Sequence, residues 1–331
     1  MRGIKILGTG VYTPETKVTN DDLSKFMDTN NEWIESRTGI RSRNYSAEKP
    51  NHYMATEACR AALQDAGTNA AEIDLIIAST CSPEFFYPCM SGLIQNALGA
   101  ENSAVLDINT ACTGFISALD IASRYLEDGD YEKILVVASE RLSPHVDFTD
   151  RSASILFGDG AAAAVVTKND KPLYSYLSAK GDPLEALYCY VNKENNCPYT
   201  KENAELEKLL DTHAKKNYLQ MDGKGVYKFA VDAMATAVTK TLEKAGLTMD
   251  DIDLVIPHQA NIRIIQSATK ALGIDPEKVY INIYEHANTS SACIPTCLDD
   301  LRKAGKFKDG MKICLVGFGA GLTSGAIIFE Q

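Results

Sequence analysis

Apolar residues fall along the chain in two rhythms. At 54–66 and 233–245 they recur at intervals of three and four, which predicts amphipathic helices. Elsewhere they form short unbroken runs, DLIIAS at 74–79, ILVVAS at 134–139 and DLVIP at 253–257, as strands do when both faces are covered. The pattern repeats. Residues 54–78, MATEACRAALQDAGTNAAEIDLIIA, join a helix, a Gly turn and a β run, and 233–257, AMATAVTKTLEKAGLTMDDIDLVIP, repeat them element for element. KILVVASE at 133–140 returns as KICLVGFG at 312–319, and both pairs stand 179 residues apart. A shared offset at two places marks two copies of one α/β unit. The expected fold is therefore α/β, two pseudo-symmetric halves layered as α/β/α/β/α. The halves are expected at 1–172 and 173–331. Residues 173–218 have no counterpart in the first half and read as an insertion, its polar stretch 190–216 a loop followed by an exposed helix.

With 331 residues the chain has material for about two domains' worth of core. Lys and Arg number 33 against 44 Asp and Glu, a net charge of -11, which argues against a nucleic-acid or anionic-membrane binder. No apolar run reaches the ~18 residues of a membrane span, and the N-terminus reads directly into a strand and a Gly/Pro turn. A soluble, cytoplasmic protein is expected. The nine cysteines include no C-x-x-C pair, so neither a disulfide framework nor a zinc ribbon is indicated. Cys293 and Cys297, one helical turn apart, could share a metal with His286, but buried cysteine is ordinarily a small hydrophobe. No metal is expected.

The repeat directs attention to its own matching positions. Laying ACTGF over HANTS sets Cys112 opposite Asn288, an offset of 176, each where a strand gives way to a helix. A thiol at a helix start meets unpaired N–H groups and the positive end of the dipole, which favours thiolate. Ala111, Thr113 and Gly114 leave room for a substrate. Position alone equally fits a packed cysteine. His258 tips the balance: it ends the apolar run DLVIP and is followed by Gln259, Asn261 and Arg263, a poor setting for a core histidine. A Cys nucleophile, a His and an Asn from repeat-related turns form a catalytic constellation.

Several long motifs stand in order: NEWIESRTGIRSR at 31–43, NTACTGF at 109–115, RSASILFGDGAAA at 151–163, HQANIR at 258–263, HANTSSACIP at 286–295 and GFGAGLTSG at 317–325. Over nearly its whole length, apart from part of 185–215, the chain resembles the β-ketoacyl-acyl carrier protein synthase III family of the thiolase fold. The resemblance makes Cys112 the acylated nucleophile and His258 with Asn288 the decarboxylation pair. It puts an oxyanion hole at the backbone N–H groups of Cys112 and Ala320, the latter a departure from the usual Gly-Gly-Gly. It assigns coenzyme A to Trp33, Arg37 and Arg151, with adenine between the indole and Arg151. Met221, Gly223, Phe229 and Asn261 match the pantetheine tunnel. Tyr87 matches the ring that closes a neighbour's acyl pocket across a dimer interface, and Arg263 and Lys270 fall on the helix that docks the carrier protein.

The glycine strings GTG at 8–10 and GFGAG at 317–321 do not lead into helices, so no dinucleotide site is read there. FGDG at 157–160 reads as a turn. The expected function is condensation of a short acyl-CoA primer, acetyl-CoA foremost, with malonyl-acyl carrier protein to a 3-oxoacyl-acyl carrier protein, starting fatty acid synthesis without a cofactor. A specialised synthase acting on other acyl groups, and a noncatalytic acyl-binding protein, are the alternatives. A homodimer is expected.

Overall fold

The computed structural model describes residues 2–182, 186–191 and 218–331. The polar stretch read as a loop and helix lies, from 192 on, outside the described residues. Thirteen strands are described: β1 (Ile4–Tyr12), β2 (Thr16–Thr19), β3 (Ser42–Tyr45), β4 (Leu75–Ser79), β5 (Ala104–Ile108), β6 (Lys133–Glu140), β7 (Gly160–Lys168), β8 (Tyr174–Ala179), β9 (Leu187–Cys189), β10 (Leu219–Met221), β11 (Leu254–Pro257), β12 (Lys312–Gly319) and β13 (Thr323–Glu330). The first large sheet runs β1-β7-β6-β4-β5 and the second β8-β13-β12-β11. In each, a parallel pair (β4–β6, β11–β12) adjoins two antiparallel neighbours. Leu75 faces Ile134 in one sheet and Leu254 faces Ile313 in the other, so the 179-residue offset is kept in the register itself.

The repeat breaks in two informative places. The second half has no equivalent of β5, because VYINI forms only a single bridge, Val279 to Val255. And β6 reaches β7 through 141–159, whereas β12 turns directly into β13 at 320–322. The first half thus carries a long excursion over its sheet end, and the second a tight hairpin.

The helices of eight or more residues are α1 (Asn31–Thr38), α2 (Asn51–Ala66), α3 (Met90–Leu98), α4 (Gly114–Asp128), α5 (Gly223–Ala245), α6 (Ile262–Ala271) and α7 (Cys293–Lys303). Gly67 and Gly246, again 179 apart, close α2 and α5 at φ 59° and 65°, where a side chain would be strained. Strand alternation explains the unbroken apolar runs: Leu75, Ile77, Ile134 and Val136 face α4 and α7, while Ile76, Ala78, Leu135 and Val137 face α2 and α3. On the second sheet, Val255, Cys314 and Val316 face α5 and α6. The result is the α/β/α/β/α stack of the thiolase fold, with α4 and α7 sealed between sheets. Phe115, Leu119, Ala122 and Leu126 of α4 are fully buried there. Each large one contributes about 1.5–3 kcal/mol, which makes these two helices rigid supports for whatever their N-termini carry.

Candidate active site

Cys112 lies not in α4 itself but in a short 3-10 turn, Ala111–Thr113, just before it. Ala111 takes φ 46°, a left-handed value rare outside glycine. At the start of α7 the turn Ser290–Ala292 repeats this, with Ser290 at φ 52°. The pseudo-symmetric mate of Cys112 is therefore Ser291, at the shared offset of 179, and the alignment of Cys112 with Asn288 is corrected. Asn288 stands three residues earlier, on the approach to the second turn.

The two turns meet. Cys112, His258 and Asn288 line one cavity of about 220 Å³, together with Phe157, Phe318 and Gly319. Gly319 is required there: a Cβ on it would lie 2.7 Å from the Cys112 backbone nitrogen. The Thr323 hydroxyl ties the nucleophile turn to the hairpin, lying 3.2 Å from the carbonyls of both Thr110 and Ala320 and 3.0 Å from the Thr113 hydroxyl. Ala320 is not among the residues with positive φ, so alanine meets no backbone penalty at that place; Gly321, at φ 129°, carries the turn.

His258 follows β11, its backbone N–H donating to the Val316 carbonyl at 2.8 Å. Its ring packs edge-on to Phe318, and neither ring nitrogen has a partner in the protein. Burial lowers its pKa to about 3, so the imidazole is neutral. Asn288 is held differently. Its Oδ1 accepts from the Ser290 backbone N–H at 2.8 Å and lies 3.8 Å from the Cys293 thiol. That fixes the amide's orientation and leaves its NH₂ as the group a ligand can reach.

The Cys112 thiol departs from expectation. Burial pushes its pKa up to about 12, against a smaller lowering by the Ser290 hydroxyl, so the resting group is a thiol and not the anticipated thiolate. The carboxylate of Glu140, fully buried at the end of β6, adds to the rise. Sequence reasoning passed over Glu140 and Ser290. Glu140 was visible as an acid closing an apolar strand, and Ser290 as the residue 179 after Ala111.

Other expected site residues divide. Arg37, Met221, Gly223 and Asn261 line the same cavity. Asn261 also caps α6, accepting from the Arg263 N–H at 2.9 Å. Phe229 does not line it: the residue lies on α5, facing a separate open cleft with Tyr176, Lys180 and Asp232. The guanidinium carbons of Arg37 and Arg151 lie 4.3 and 4.9 Å from the Trp33 ring centroid. A base stacked between indole and guanidinium needs a spacing of about 7 Å, two contacts of ~3.5 Å, so the Arg151 side has to open before adenine enters. Arg263 donates to the Ser36 carbonyl at 2.9 Å, stapling α6 to α1, while Lys270 is exposed at the end of α6. Tyr87 is 87 % exposed in the loop after β4, away from this chain's own cavity.

Cys293, Cys297 and His286 do not converge. The Cys293 sulfur accepts from the Thr289 N–H, the Cys297 thiol donates to Asn282, and His286 lies 3.9 Å from Asp300. Among the described residues no group of three or more His, Cys, Asp or Glu is placed to hold a metal ion. Nor, among them, is any helix long and apolar enough to cross a membrane.

Two family descriptions, 3-oxoacyl-acyl-carrier-protein synthase III and the C-terminal part of that synthase, match residues 106–181 and 242–331. The β-ketoacyl-acyl-carrier-protein synthase III of Clostridium acetobutylicum is 41% identical, over 100% of this chain and 99% of the relative. The chain belongs to the 3-oxoacyl-acyl-carrier-protein synthase III family. The crystal structure of the Aquifex aeolicus synthase III superposes with a TM-score of 0.89 at 40% identity, over 99% of this chain and 100% of that one. A priming β-ketosynthase from a polyketide biosynthetic pathway superposes with 0.87 at 36% identity, over 100% and 97%. Membership gives the reaction type: an acyltransferase that condenses an acyl-CoA with a malonyl-acyl carrier protein to a 3-oxoacyl-acyl carrier protein.

Proposed function

We propose that this chain starts fatty acid synthesis, taking a short acyl group, acetyl foremost, from CoA onto Cys112 and condensing it with malonyl-acyl carrier protein. The observation that carries the assignment of residues is the convergence of Cys112, His258 and Asn288 on one cavity into which two unpartnered imidazole nitrogens are buried. In the first step the Cys112 sulfur attacks the thioester carbonyl, and the backbone N–H groups of Cys112 and Ala320 receive the developing oxyanion. In the second, loss of CO₂ leaves an enolate, whose oxygen takes hydrogen bonds from the His258 ring and the Asn288 NH₂. Both donors are neutral, so neither repels the malonyl carboxylate. CoA enters past Arg37 and Trp33, with Arg151 swinging aside, and Met221, Gly223 and Asn261 flank its arm. We take 1–172 and 173–331 as the two halves, one supplying the nucleophile and the other the decarboxylation pair.

A specialised synthase that primes a secondary product is the second reading, favoured by the likeness to the polyketide-priming enzyme. A panel of acyl-CoA primers with product mass spectrometry separates the two. Acetyl-CoA as the preferred substrate supports the first, and preference for a longer or substituted acyl group overturns it.

Gly319→Ala tests the packing of the nucleophile turn. Its Cβ would press on the Cys112 backbone nitrogen, and displacing a reacting atom by even part of an ångström costs on the order of 10²-fold in acylation. Acyl-enzyme formation followed by intact mass, beside a thermal melt, checks it; a wild-type rate would mean that the hairpin yields instead.

The assembly we infer is a homodimer. Phe85, Phe86 and Tyr87 are 51, 76 and 87 % exposed, and Val105 of the edge strand β5 is also open. An aromatic face of this kind beside a sheet edge fits a second copy, with Tyr87 closing that copy's acyl pocket. Tyr87→Ala is expected to widen primer choice toward longer or branched groups, and unchanged preference would assign the pocket floor elsewhere. Carrier docking falls to the exposed end of α6 at Lys270, with Arg263 contributing charge while it holds α1.

A further inference from the structure

Glu140 is fully buried at the end of β6, and no step above uses it. Its neighbours are hydroxyls, thiols and one amide rather than a cation. Oε2 receives the Ser82 hydroxyl at 2.8 Å, the Cys81 N–H at 3.1 Å, and the Cys81 thiol and Thr80 hydroxyl at 3.3 Å. Oε1 receives the hydroxyls of Ser291 at 2.8 Å and Ser290 at 3.2 Å. Ser290 also hydrogen-bonds the Cys112 thiol. Its backbone is pinned by the bond from its N–H to Asn288, so the hydroxyl stands between sulfur and carboxylate. A hydroxyl that accepts from one neighbour and donates to another passes a proton without net charge of its own.

We propose that Ser290 and Glu140 form a proton path for Cys112, with Glu140 holding the thiol proton for the lifetime of the acyl-enzyme. The inference rests on Cys112 as the acylated nucleophile. During acylation the Cys112 S–H bond breaks as its sulfur bonds to the acyl carbon. That proton goes to the Ser290 oxygen, the Ser290 proton goes to Glu140 Oε1, and CoA leaves as a thiolate that takes a proton from solvent. In condensation the enolate carbon bonds to the acyl carbon and the C–S bond to Cys112 breaks. The leaving thiolate then recovers its proton from Glu140 by the same path. Ser290 touches the reacting atom, and Glu140 acts through it as a positioning residue.

Electrostatics agree with the geometry. Burial raises the Glu140 carboxyl above its usual range, making it a better base, while His258 at about 3 is a poor one. The other titratable groups facing Glu140 are Cys81, Cys112 and Cys293, all thiols raised by burial, so none competes for the proton near neutrality.

The test uses Ser290→Ala and Glu140→Gln in the full chain. Alanine suits position 290, because Ala111 holds the matching turn at φ 46°. Acyl-enzyme formation from acetyl-CoA is followed by rapid quench and intact mass between pH 6 and 9, with CO₂ release from malonyl-carrier as the parallel readout. Both variants are expected to acylate about 10²-fold more slowly at pH 7 and to gain rate steadily with pH where the wild type levels off. CO₂ release should stay near wild type. Wild-type acylation with a wild-type pH profile in Ser290→Ala overturns the path, even if Glu140→Gln fails to fold. Equal loss in both half-reactions with an unchanged pH profile also overturns it, in favour of a packing role. Absence of any acyl group on Cys112 in the wild type defeats the underlying assignment instead.

Discussion

Cys112→Ala is expected to abolish acyl transfer to the protein while CO₂ release from malonyl-carrier continues. The thiol is the one nucleophile on the cavity wall, whereas the enolate donors belong to a different half and a different turn. Removing the nucleophile of a unit that acts together costs ~10⁴–10⁶-fold in the overall reaction, so condensation should fall to background. The cavity it leaves is small, since Cys112 is replaced by a residue with the same backbone preferences and one atom fewer, and the melt should hardly move. Intact mass after exposure to acetyl-CoA, with labelled CO₂ release on the same sample, reads both outcomes. An acyl adduct surviving on the alanine variant would move the nucleophile to another residue, with Cys81 and Cys293 as the nearest thiols around the same buried carboxylate.

How far the sequence alone reaches depends on what is local. The doubled unit could be read from 54–78 and 233–257 because helix spacing, Gly67 and Gly246 and the β runs are local signals that recur at one offset. Layering followed, since unbroken runs such as ILVVAS demand cover on both faces. What escaped was long-range or conformational. VYINI has strand composition but only one bridging partner, so propensity overstated it. The pairing of Cys112 with Asn288 failed because lettered similarity between ACTGF and HANTS outweighed the constant offset. The positive φ shared by Ala111 and Ser290 is what fixes Ser291 as the mate, and neither residue type announces it. The thiolate expectation weighed the helix end and left out burial, which cannot be judged from a motif. Phe229 shows the limit of transfer by resemblance, because its helix is where the family pattern puts it but its ring faces another cleft. Glu140 shows the opposite limit, since its surroundings come from β4, β6 and the turn at 290 and exist only once the halves are packed.

Removal of either enolate donor should reverse the Cys112 result. Asn288→Ala takes away a hydrogen bond aimed where charge develops, worth ~10²–10³-fold in decarboxylation, and leaves Cys112 able to take an acyl group. His258→Ala should do the same. Asn288→Asp should be worse than alanine: it removes the donor and sets a negative charge beside the malonyl carboxylate and the enolate. It also loses nothing of the contact to the Ser290 N–H, so the difference between Asp and Ala reports charge rather than the turn. The pH dependence gives an independent check. With a pKa of about 3, His258 is neutral above that value, and its N–H donor is present without a change of charge. An ordinary histidine would instead protonate as pH falls through ~6.5. CO₂ release at saturating malonyl-carrier should therefore run flat from pH 8 down to pH 5 in the wild type. A drop or rise centred near pH 6.5 would mean that the imidazole is hydrated in the working complex. Normal CO₂ release by Asn288→Ala would remove the amide from the decarboxylation step.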